Sequence, residues 1–113
     1  MVWEAIQAGE QLEAEGINAE IINIHTIKPI DEEAILKSVA KTGCAVSAEE
    51  HNRLGGLGDS IAQVLITKNL VPQEYVAVND SFGESGTPDA LMEKYGLKAN
   101  NIVEAAKRVI ARK

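Results

Sequence analysis

Gly43-Cys-Ala-Val-Ser-Ala-Glu-Glu-His-Asn-Arg-Leu-Gly-Gly-Leu-Gly58 is the stretch from which the rest of the chain is read. Cys44, Ala45, Val46 and Ala48 form a short apolar run with little polar alternation, which predicts a parallel strand covered on both faces. Glu49, Glu50 and His51 follow as an acidic turn. Gly55, Gly56 and Gly58 then give the backbone freedom to enter a helix whose apolar stripe begins at Ile61, Val64 and Leu65. Strand, turn and helix are thus predicted from sixteen consecutive residues.

Upstream of this unit, Val2, Trp3, Ile6 and Leu12 recur at roughly helical spacing with Glu4, Glu10, Glu13 and Glu15 outside, and Gly16 is placed to end that helix. Ala19 to His25 is rich in isoleucine (Ile21, Ile22, Ile24) and predicts a second buried strand closed by Pro29. Asp31 can cap a helix with Ile35, Leu36 and Val39 inward, Lys41 in its last turn and Gly43 at its end. Downstream, a helix over about 58 to 69 stops before Pro72, and Tyr75 to Val78 predicts a third strand. A turn-rich loop, Asn79 to Gly86, leads through Thr87-Pro88 into a short helix ending near Tyr95-Gly96. Asn101 and Glu104 open a last amphipathic helix with Ile102, Val103, Ala106, Val109 and Ile110 inward and Lys107, Arg108, Arg112 and Lys113 outside or at its C-terminus. The alternation predicts an α/β domain, three layers deep with a mainly parallel sheet, formed by residues 1–113 as one domain.

Composition narrows the partners. The 113 residues are 45% hydrophobic, enough for a single core without staples, and only Trp3, Tyr75, Phe82 and Tyr95 are aromatic. A net charge of -6 argues against nucleic acid. No apolar run approaches the ~20 residues of a membrane span, so no membrane partner is expected. The lone Cys44, set in an apolar run, reads as core rather than nucleophile and fits a reducing compartment, the cytoplasm. Trp3 is the one large aromatic out of place and is a candidate anchor for a domain or subunit contact.

Loops at the carboxyl ends of parallel strands gather along one edge, where ligands bind in open α/β sheets. The predicted loops bring His25, Glu49, Glu50, His51 and Asp80 to that edge. Acid/base chemistry by histidines beside carboxylates is one reading, and satisfaction of the same groups by backbone donors is the weightier one. As metal ligands they have the right types without compact spacing. Gly55, Gly56 and Gly58 either present amides to an anion at a helix N-terminus or make a tight turn, with Gly56 taken as the position needing positive φ or close approach. No catalytic, cofactor-binding or metal-ligating residue is assigned. His25, Glu49, Glu50, His51, Gly55, Gly56, Gly58 and Asp80 stand as a candidate anion or interface site.

Four motifs in register give these residues a family. Asn23-Ile-His-Thr-Ile-Lys-Pro-Ile-Asp31, Ala48-Glu-Glu-His51, Gly55-Gly-Leu-Gly58 and Asp80-Ser-Phe-Gly-Glu-Ser-Gly86, followed by Tyr95-Gly-Leu97 and an amphipathic helix, resemble in order and spacing the C-terminal domain of transketolases. The split type, whose C-terminal subunit joins a pyrimidine-binding domain to this one, is most similar. Deoxyxylulose-phosphate synthase and the β subunit of 2-oxoacid dehydrogenases share the Lys-Pro-x-Asp and Gly-Gly-x-Gly elements, while Phe82-Gly-Glu-Ser-Gly86 looks more like transketolase.

The resemblance implies a part in moving two-carbon ketol units between sugar phosphates, as in the pentose phosphate pathway, within a dimeric enzyme. That enzyme uses thiamine diphosphate and Mg, held by other domains, so no cofactor is expected on this chain alone. Expected partners are the other transketolase domains or subunit and a second copy of the parent subunit. The resemblance also implies strands upstream of the first helix, so the chain is expected to be truncated and to lack its N-terminal strands. A stand-alone small-anion-binding module is the alternative from a different class.

Overall fold

A computed structural model describes residues 1–24, 30–52, 55–78 and 97–113, with backbone only at 51 and 52. Helices α1 (Val2–Ala14), α2 (Glu32–Thr42), α3 (Leu57–Lys68) and α4 (Ala99–Ala111) surround strands β1 (Ala45–Asn52) and β2 (Gln73–Val78). The two strands are parallel neighbours, registered from Ala45 opposite Gln73 to Ala48 opposite Val76.

The sheet separates two apolar clusters. On one face Ala8 and Leu12 of α1 and Ile102, Val103 and Ala105 of α4 enclose Val76, with Val46 and Ala48 against them. On the other, Ile35 and Val39 of α2 meet Ile61, Val64 and Leu65 of α3, with Ala45 packed beneath. Val46 and Ala48 alternate with Ala45 because successive strand side chains point to opposite faces. The result is the three-layer α/β/α order read from the sequence.

Local chemistry sets the helix ends. Asp31 Oδ1 accepts from the Ala34 amide at 3.1 Å, and Gly43 closes α2 at φ 77, where glycine alone avoids a Cβ penalty. Gly16, at φ 82, ends α1: its amide donates to the Glu13 carbonyl and that of Ile17 to the Leu12 carbonyl, both helix-terminal orphans. Arg108 and Arg112 of α4 grip the Glu74 carboxylate from above β2. Beside α2, the exposed Glu20 carboxyl is held below its usual range, first by a hydrogen bond from Lys41 and then by one from Ser38.

Four sequence expectations change. β1 starts one residue after Cys44 and continues through Glu49, Glu50, His51 and Asn52, so the expected acidic turn belongs to the strand. The ladder allows this by an irregularity: between Ala48 opposite Val76 and Asn52 opposite Val78, β1 spends four residues where β2 spends two, and such bulges re-aim side chains. Second, Ala19 to Ile24 makes no strand. No described strand lies alongside to bond it, and Ile21 and Ile22 remain exposed while Ile21 leans on Gly9 of α1. Third, α4 begins at Ala99 with Lys98 as N-cap, and Asn101 serves as the third helical residue, its Oδ1 accepting from the Lys98 amide at 3.0 Å. Fourth, Ile110, expected inward, is 37% exposed, and Glu4 is not on the outside. It is 9% exposed, and its Oε2 accepts from the Ala99 amide at 2.8 Å, with Lys98 Nζ 3.6 Å from Oε1. A buried carboxylate thus takes an orphan amide at the positive end of α4. Among the described residues, no helix is long and apolar enough to cross a membrane.

Candidate functional site

The carboxyl end of β1 and the start of α3 form the site. Three glycines bring strand and helix together, each differently. Gly55 sits at φ 73, a left-handed conformation disfavoured for other residues. Gly56, the helix N-cap, has φ -92 and ψ -158, so positive φ belongs to its neighbour. Gly58 provides the close approach: a Cβ there would lie 2.5 Å from Tyr75 Cε2 and 2.7 Å from Ser47 Oγ. The positive φ expected at Gly56 is therefore found at Gly55 instead, and a close approach is seen at Gly58. Gly55→Ala is expected to lower stability by about 1 kcal/mol and Gly56→Ala by no more than half of that, read as the shift in urea midpoint.

Glu49 is the centre of the arrangement. Only 6% exposed, it accepts from the Leu57 amide at 2.9 Å through Oε1 and from the Gly58 amide at 2.8 Å through Oε2. Two of the four orphan amides of α3 are therefore satisfied from the neighbouring strand, at the end where the helix dipole favours an anion. Asp59 works from the helix side. Its Oδ2 accepts from the Gly55 amide at 2.6 Å and its Oδ1 from the Tyr75 hydroxyl at 2.8 Å. Gln73 of β2 closes the cluster, donating to Ser47 Oγ at 3.2 Å and to the Gly58 carbonyl at 3.0 Å.

Of the residues singled out from the sequence, Glu49, Gly55, Gly56 and Gly58 come together here. Glu50 is exposed and 2.9 Å from the Met1 amine. His51 is in β1 with its side chain outside the described residues, and His25 and Asp80 lie outside them altogether, as do Phe82-Gly-Glu-Ser-Gly86 and the helix expected after Thr87-Pro88. Asp59, Tyr75, Ser47 and Gln73 were missed. Asp59 has a signal in retrospect, an acid at the third position of a helix that opens on glycines. A diphosphate does not fit this corner: Glu49 already fills the helix terminus, and Asp59 adds a second acceptor beside it. Among the described residues no three His, Cys, Asp or Glu side chains are grouped to hold a metal ion.

Comparison with known proteins gives the fold a family. The family model "Transketolase, C-terminal domain" matches residues 1–102. The chain is 50% identical over 113 residues to the 6-deoxy-6-sulfo-D-fructose transketolase subunit SqwH of Clostridium sp. (strain MSTE9), covering all of this chain and 35% of that protein. It is 36% identical to the 1-deoxy-D-xylulose-5-phosphate synthase of Heliobacterium modesticaldum, covering 96% of this chain and 17% of that one. A solved split-gene transketolase, an inactive beta4 tetramer, superposes with a TM-score of 0.93 at 45% identity over 97% of this chain and 36% of its own. The chain therefore spans about a third of the transketolase relatives it matches.

Proposed function

Because this chain belongs to the transketolase C-terminal domain family, we propose that it is the packing and subunit-interface domain of a cytoplasmic transferase that moves two-carbon ketol units between sugar phosphates. Its partners are the other transketolase domains or subunit and further copies of the parent subunit, in keeping with the beta4 assembly of the solved relative. Thiamine diphosphate and Mg are held by those other parts. Higher identity to a transketolase subunit (50%) than to a deoxyxylulose-phosphate synthase (36%) favours ketol transfer.

One observation carries the reading: the Glu49 carboxylate occupies the amides of Leu57 and Gly58. In a stand-alone anion-binding module those amides would face the ligand. Here an incoming phosphate would have to displace a tethered carboxylate and approach Asp59 as well, a like-charge encounter at close range. The glycine turn thus serves to clamp β1 to α3 and to hold the sheet edge in a fixed shape for neighbouring protein.

Calorimetric titration of the 113-residue chain with thiamine diphosphate and Mg²⁺ tests this. No saturable heat is expected up to millimolar ligand. Binding in the micromolar range or tighter, about -8 kcal/mol, would overturn the proposal.

A further inference from the structure

We draw no further inference here: the strongest candidate, the exposed apolar face formed by Val2, Trp3 and Ile6 of α1 with the neighbouring Ile21 and Ile22, carries none, because the Ile21 side chain of the same chain already lies against Gly9 and nothing in the structure shows what covers the rest.

Discussion

Gly58→Val is expected to destabilise the chain by about 3 kcal/mol or more, the largest effect of any single substitution at the strand–helix corner. The added Cβ alone would stand 2.5 and 2.6 Å from Tyr75 ring carbons and 2.7 Å from Ser47 Oγ, closer than atoms tolerate. Neither neighbour can step aside cheaply. The Tyr75 hydroxyl is bonded to Asp59 on the same helix, and buried Ser47 is held by Gln73. Moving α3 outward instead would break both Glu49 bonds to its N-terminus. Overpacking a core costs about 1–3 kcal/mol and occasionally more, and a clash with a doubly anchored wall belongs at the upper end. Set against the 5–15 kcal/mol typical of a whole domain, the loss shows as a large fall in urea midpoint. Gly58→Ala should fall between Val and wild type, and a midpoint for Gly58→Val above that of Gly55→Ala would refute the close-approach argument.

Glu49→Ala is expected to lower stability by about 2–4 kcal/mol. It strips the partner from two amides, one of them buried at Gly58, and an orphaned buried donor costs about 1–3 kcal/mol. Water can reach the part-buried Leu57 amide, which keeps the total below twice the maximum. Glu49→Gln should lie between the two, since its amide offers one acceptor and turns a donor toward the second N–H. At roughly 4 °C per kcal/mol for a domain of this size, the alanine variant should melt some 8 to 15 °C lower. A melting point within about 2 °C of wild type would mean that the carboxylate is not the clamp. Glu4→Ala, which frees one buried amide at Ala99, should have a smaller effect of the same kind.

Those two glutamates mark the boundary between what was legible and what was not. In a helical or strand pattern a glutamate reads as solvent-facing, because charge is rarely buried without a partner. The partner of Glu4 is an amide 95 residues away, and no local rule points to it. Glu49 looked like part of a turn because glycines followed soon after it. The two extra residues in β1 relative to β2 that turn it toward α3 are a property of pairing, which has no signature in one strand alone. The isoleucines of Ala19 to Ile24 misled for a related reason. β-branched composition shows that a segment suits a sheet, whereas a strand exists only when another lies beside it.

By itself the sequence determined the α/β class, the helices with their ends at Asp31, Gly43 and Gly16, the run at Ala45 to Ala48 as a strand, and the family. These are local matters: helical periodicity, caps and turn residues act within a few positions, so the chain states them directly. Tertiary structure alone decided which glycine bears positive φ and which the close approach, that Glu4 and Glu49 are buried caps, and that Trp3 and Ile6 face outward. Each of these depends on what a distant segment places within about 3 Å, and residues far apart in the chain meet there only because the layers have packed.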